Sequence, residues 1–500
     1  MGVDLSRRAF GAGLGVSLGA GVALWTVGGV ARAQSCSMPD WAVKLRTDLE
    51  AMAVRLTKTV KPWSGPKRTA TPEQFGHKSG DALSTKAIQS AIDTLAQKGG
   101  GTVRLAKGDY VSGTVDLRDN IRLEIARGAR LLGSFDLKDW PDRVAKRPTV
   151  MDSNMGMNQS LIHAEGATNI SICGEGVIDG RGDHFHGAET AGGTPGRPFL
   201  IRVVDSQRVH IQGITLRDSP CWMQNYLNCE DLLIEGIHVD NQANFNNDGC
   251  DIDGCRRVIV RNCFINSEDD GLCFKGASER PMEDVLVENC HFYSTCNALK
   301  FGTDSQGDFR RVLVRQVEVG GPADDMRARN RRQALSGVAF ESVDGNTVED
   351  ILVTDVHIVR ASSPLFLRLG DRGRVRPEEK RPAPGHIRHI VYDRLTGTDN
   401  GSRGAYFTGL PDHVIEDIVL RDVNIGVAAT TLAVPDEAAI AEKPADYPDP
   451  QMIGEVSPAY GLWTRHLRNL TLINVKFTLT GSDPRPMIKA TLDTSGVCGA

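Results

Sequence analysis

Val258-Ile259-Val260-Arg261-Asn262-Cys263-Phe264-Ile265-Asn266-Ser267 returns 27 residues later as Val285-Leu286-Val287-Glu288-Asn289-Cys290-His291-Phe292-Tyr293-Ser294. The match is too long for chance. Weaker copies stand at Val312–Val317, Ile351–Val356, Ile418–Val423 and Leu470–Val475, while Ile211-Gln212-Gly213-Ile214 and Ile234-Glu235-Gly236-Ile237 lie 23 apart. Each unit holds short β-branched runs that alternate in and out, broken by Gly, Asn and Asp, and helical periodicity is almost absent after residue 100. Units of this size with two or three strands each are the coils of a parallel β-helix, where every coil buries its inward side chains against its neighbours. A leucine-rich horseshoe needs a regular leucine and asparagine frame, which is missing. The expected fold is therefore all-β: a right-handed parallel β-helix.

Upstream, Ala87–Leu95 has helical spacing, ends at Gly99-Gly100-Gly101 and leads into a strand, Thr102-Val103-Arg104-Leu105. This predicts a short N-terminal helical cap within residues 70–134, covering the open end of the sheet stack. Residues 372–388, rich in Arg and Pro, and 427–460, with several Pro and Ala, interrupt the period and are expected to be loops over the long groove.

A solenoid absorbs the 500 residues in one domain, expected over 34–500, and 40% hydrophobic with 24% charged residues excludes global disorder. A formal charge of -5 gives no basic footprint, which argues against nucleic acid and anionic membrane surfaces as partners. Residues 1–33 are read as a leader. Ser6-Arg7-Arg8-Ala9-Phe10, a Gly-rich apolar run from Gly11 to Val30 and Ala31-Arg32-Ala33 resemble a twin-arginine export signal with its cleavage site. Seven glycines between Gly11 and Gly29 dilute the segment, which argues against a transmembrane anchor. Gln34 is a poor residue just upstream of a lipidated Cys36, so a lipoprotein is not expected. The mature chain is expected to start near Gln34 and to act as a monomer in the periplasm or outside the cell, with no membrane partner.

Eight of the eleven cysteines (Cys221, Cys229, Cys250, Cys255, Cys263, Cys273, Cys290, Cys296) fall in one stretch and recur at repeat positions, as apolar core ladders would. No C-x-x-C pair or Cys/His set has zinc spacing, so neither a metal nor another cofactor is expected.

Asp248-Gly249-Cys250-Asp251-Ile252, Asp270-Gly271-Leu272-Cys273-Phe274 and Asn297-Ala298-Leu299-Lys300-Phe301 share one pattern: polar, small, apolar, outward, apolar. Aligned as successive coils, they stack Asp248, Asp270 and Asn297 in one column, with Asn247, Asp269 and Cys296 just before them. Neighbouring coils lie about 5 Å apart, so Asp248, Asp269 and Asp270 converge. Crowded carboxylates raise the pKa of at least one member, leaving an acid beside ionised bases, which is what glycoside hydrolysis requires. Asp-Gly is often only a turn. A turn, however, gains nothing from three clustered negative charges.

From about Phe75 to Arg372 the chain resembles the polygalacturonase-type glycoside hydrolases of family 28. The resemblance rests on Phe75-Gly76, Gly99–Val103 and Gly128–Ser134 in the cap region, on Asn246-Asn247-Asp248-Gly249 for the family's N-T-D-G, and on Glu268-Asp269-Asp270-Gly271 for its [GQ]-D-D. It implies inverting hydrolysis of a pectin-like polysaccharide, with Asp269 as general acid and Asp248 and Asp270 holding the attacking water. Two motifs depart. The family's G-H-G histidine falls at Asn297, and its R-x-K pair, which grips a galacturonate carboxylate, falls at Ala339-Phe340-Glu341. By alternation Lys275, Lys300 and Arg368 point outward on flanking coils. Lys300 and Arg368 are candidate carboxylate ligands, whereas Lys275 reads as an ordinary surface cation. Glu341 is a candidate partner for sugar hydroxyls, and Trp222 and Tyr226 are candidate stacking platforms. Two other functions stay open on these residues: a β-helix lyase whose aspartates bind calcium, and a non-catalytic carbohydrate-binding solenoid.

Overall fold

Asn262 and Asn289, which punctuate the repeat, adopt left-handed backbone conformations with φ of 56° and 52°, and Gln316, Asp355, Asp422 and Asn474 do the same in the weaker copies. Asn and Asp tolerate that region best among residues with a Cβ, so this recurring position is the corner at which each coil turns. The Asn289 amide donates to the Asn262 side-chain oxygen at 2.6 Å, and Asn474 to Asp422 at 2.8 Å, tying the corners of successive coils.

The computed structural model describes residues 37–492, except 81, 150–157, 186–195, 330 and 377, together with 497–498. The expected export signal, residues 1–33, lies outside the described residues. Between corners the strands pair in parallel along the described chain, apart from one antiparallel bridge between Leu410 and His413. Val258 sits beside Val285 and Val285 beside Val312, the register that the repeat requires. Right-handed coiling follows the rule for parallel crossovers. One wall, formed by Gln224–Leu227, Cys250–Asp253, Leu272–Gly276, Asn297–Ser305, Ala334–Ser342 and Ala361–Leu369, carries the site. Its inward positions are a continuous apolar stack. Phe274, Phe301 and Phe340 stack with ring centroids 4.7 and 4.5 Å apart.

The N-terminal cap forms as expected, with a helix over Thr85–Gln97 and a strand over Gly101–Leu105. A second helix, Asp40–Thr59, packs along the side of the coils instead. Leu45, Leu49, Met52 and Leu56 lie on a ladder of Leu233, Ile259, Leu286, Leu313, Leu352, Val391 and Val419. Those are the middle residues of the Val-Leu-Val runs, which therefore face an apolar partner on both sides. This is why the repeat reads as continuously apolar instead of alternating. Among the described residues no helix is long and apolar enough to cross a membrane.

The cysteines divide. Cys229 and Cys255 stack on neighbouring coils, as do Cys263 and Cys290, all as buried free thiols. Two do not fit the core-ladder expectation. Cys273 stands on an outward column between Asp251 and Lys300, and Cys296 is half-buried beside the aspartates.

Candidate active site

Cys250 pairs with Leu272, and Leu272 with Leu299, so the column inferred from the residue pattern is the column of the structure. The Gly249 amide donates to the Asp270 carbonyl, and the Gly271 amide to the Asn297 carbonyl, both at 2.8 Å. The glycines are needed for coil spacing. A Cβ on Gly249 would fall 2.7 Å from the Gly271 oxygen, and one on Gly271 2.4 Å from the Ala298 oxygen. Each Asp-Gly pair thus opens a strand, and Asp248 and Asp270 lie on adjacent coils. The ligand atoms of Asp269, Asp270 and Cys296 fall within 4.8 Å of one another.

Three environments separate the three aspartates. Asp270 is buried, which alone would push its pKa up. Lys300 at 3.0 Å, Lys275 and a 2.8 Å hydrogen bond from Asn297 outweigh burial and hold it below the usual carboxylate range. Asp269 is half-buried, and burial together with the Asp270 charge raises it. Asp248 is raised furthest, by burial and then by Asp251 and Asp269, although Lys275 lies 3.5 Å from its Oδ2. Its Oδ1 is buried and accepts no hydrogen bond among the described residues.

Asn297 is held in turn by Ser336, whose hydroxyl donates to its Oδ1 at 2.7 Å. Where the family pattern has a histidine, this chain has an amide that fixes Asp270. Lys300 is 2% exposed, with Glu341 Oε2 at 3.8 Å and the Tyr447 hydroxyl at 3.3 Å. Tyr447 comes from the long insertion after the strand Ile415–Ala428, which folds back over the wall. That insertion docks through Ile440, Met452 and Ile453 on an apolar ladder of Ala339, Phe366, Tyr406 and Trp463. Ala339 pairs with Lys300 on the preceding coil. The outward column therefore switches from polar to apolar at Ala339, and the alanine serves loop docking.

Several expectations are corrected. Lys275 is no surface cation: it is buried, within 3.5 Å of Asp248 and 3.2 Å of Asp251. Trp222 is 7% exposed, with Lys275 Nζ 4.3 Å over its ring, so that face is covered by an ammonium and is not an open platform. Tyr226 is fully buried in the core and donates to Gln224. Arg368 donates to the Glu442 and Lys443 carbonyls at 2.6 and 3.0 Å, so it anchors the insertion and does not face the aspartates. Glu341 is fully buried and, among the described residues, neither carboxylate oxygen has a hydrogen-bond partner, so it does not line an open groove. Asp251 was not singled out from the sequence. It is fully buried and pushed up to about 7, by burial first, against the pull of Lys275. Continuing the outward column backwards from Lys300 through Cys273 leads to it.

Burial pushes Glu341 up to about 8, with Lys300 only partly offsetting it. A carboxyl raised in the folded state binds a proton that the unfolded chain has released. Its contribution is intact below about pH 4.5 and is lost as pH rises towards 8. Glu341→Gln should therefore gain melting temperature relative to wild type as pH increases, by an amount on the order of 3 kcal/mol between about pH 4.5 and 7. Thermal scans at both ends of that range check this, and a difference between the two proteins that does not vary with pH contradicts it.

A family model described as Glycosyl hydrolases family 28 matches residues 145–438, which include the whole aspartate patch. A probable exopolygalacturonase X of Aspergillus flavus is 30% identical over 385 residues, covering 71% of this chain and 84% of its own length. A probable polygalacturonase of Vitis vinifera is 26% identical, covering 71% of this chain and 74% of its own. Among solved structures, an exopolygalacturonase from Thermotoga maritima superposes with a TM-score of 0.65 at 18% identity, covering 85% of this chain and 96% of that one. With the model spanning more than half of its length and lying across the three aspartates, the chain belongs to glycosyl hydrolase family 28.

Proposed function

We propose that this glycoside hydrolase cleaves a pectin-like polysaccharide by a single displacement with inversion at the anomeric carbon. The observation that carries the reading is the pairing around two neighbouring carboxyls: Lys300 at 3.0 Å and the Asn297 amide at 2.8 Å hold Asp270 in its ionised form, while Asp269, half-buried beside that charge, is raised. Asp269 then holds the proton that goes to the leaving glycosidic oxygen. Asp270 stays ionised and takes up the proton of the attacking water, which Asp248 on the neighbouring coil helps to position. The names of the Aspergillus and Vitis relatives favour galacturonan-type chains. A protonated Glu341 at neutral pH would not repel a uronate. The lyase reading loses to family membership, and the binding-module reading has no use for the divergent pair.

Hydrolysis of polygalacturonate, followed by reducing-sugar release, tests the substrate. Proton NMR of the first product tests the mechanism. The inverted anomer is expected, and a retained one would make an aspartate the nucleophile. The same reading assigns residues 34–500 to one catalytic domain, acting as a monomer in the periplasm or outside the cell after removal of residues 1–33. N-terminal sequencing of exported protein, expected to begin near Gln34, checks that cleavage.

A further inference from the structure

A cavity of about 390 Å³ opens on the site wall, lined by Arg331, Gln333, Leu335, Ser362, Arg403 and Gln451 together with Glu455. Its position along the wall is fixed by pairing. The Leu335 amide donates to the Cys296 carbonyl at 2.6 Å, so the floor begins on the coil next to the catalytic cluster. Ser336 pairs with Ser363, which places Ser362 one coil further. At about 5 Å per coil, the cavity lies roughly two to three coils from Asp269, with Leu335 two coils away and Ser362 three. A pyranose residue advances a polysaccharide by about the same distance per unit, so a chain seated on the aspartates reaches the cavity with its second or third residue.

The lining is polar and partly rigid. Arg403, 7% exposed, donates through Nε to the Gly454 carbonyl at 2.9 Å and through Nη1 to the Ser362 hydroxyl at 2.7 Å, so it forms a fixed floor. Arg331 is exposed and pairs with no carboxylate among the described residues. Two arginines and one carboxylate, Glu455, line the cavity. Gln451, Gly454 and Glu455 belong to the insertion that also brings Tyr447 to Lys300, so one loop shapes both places. An unattached surface arginine is commonplace. One on the rim of a cavity, above a second arginine already fixed in place, presents its planar fork to a carboxylate.

Resting on the hydrolase reading above, we propose that this cavity is a subsite for a carboxylated sugar residue two or three units along the chain from the cleavage position, with Arg331 gripping the carboxylate. It supplies the cation that Ala339 and Glu341 lack, displaced along the groove instead of at the scissile residue. The binding energy then depends on chain length.

Digalacturonate needs only the positions flanking the broken bond, whereas tetragalacturonate extends into the cavity. Arg331→Ala is expected to lower kcat/KM on tetragalacturonate about tenfold or more, the loss of one charge-assisted hydrogen bond, and to leave digalacturonate unchanged. Arg331→Lys should recover part of the loss. Unchanged kcat/KM on tetragalacturonate overturns the proposal, and so does an equal loss on both substrates, which would mean a structural role. Calorimetric titration of tetragalacturonate into the Asp269→Asn protein, with and without Arg331→Ala, separates the two readings. Binding that ignores Arg331 removes the subsite alone. No binding of any galacturonate by the parent removes the substrate reading, and the subsite with it.

Discussion

Asp269→Asn is expected to lower kcat by more than about 10⁴-fold with little change in melting temperature. One general acid is ordinarily worth about 10²–10⁴. The larger loss follows from the shared cluster, because the charge that Asp269 gains on giving up its proton also enters the field around Asp270 and the water, and an asparagine never supplies it. Folding should survive. Asp269 is half-buried, and its Oδ1 accepts the Asp270 amide at 2.9 Å, a bond that an asparagine oxygen accepts equally well. Single-turnover rates and thermal scans on the same preparation check both halves. A variant retaining a tenth of wild-type activity would remove Asp269 from the role of acid.

The fold was legible because the repeat carries its own register. Val-Leu-Val, then a corner Asn, then an inward Cys recurs with enough identity to align coils without a structure, and the same alignment stacks Asp248 on Asp270. Alternation also pointed Lys300 and Arg368 outward correctly. It could not tell what covers an outward residue. The insertion after Ala428 lies over this wall, and its docking turns the outward face into a second interior where Arg368, Lys300 and Glu341 are all buried. Lys275 was misjudged for a related reason. Its partners are Asp248 and Asp251, on the preceding coil, and a cation at an outward position looks like a surface lysine until both carboxylates are placed. The helix Asp40–Thr59 escaped notice because nothing in a repeat of strands announces which face is left for a helix.

Lys300→Met is expected to lower kcat by about 10²-fold or more and to move the acidic limb of the pH–rate profile upward, with a small change in KM. Burying an ammonium beside a carboxylate costs several kcal/mol per ion, which their attraction only partly repays, so a pair like Lys300–Asp270 contributes little to stability. Its consequence is chemical. Lys300 is the largest of the influences that oppose burial at Asp270, and without it that carboxyl, crowded by Asp248, Asp269 and Glu341, takes up a proton and ceases to be a base. Lys300 is accordingly a positioning residue, and methionine keeps its length while removing the charge. The pH profile distinguishes this from the role that a cation near a uronate would otherwise suggest. Substrate gripping predicts a raised KM with the acidic limb unmoved; tuning of Asp270 predicts the reverse. Glu341→Gln, combined with Lys300→Met, should restore little of the lost rate at neutral pH, because Glu341, pushed up to about 8 by burial, already carries a proton there and loses the cation, Lys300, that most pulls it down.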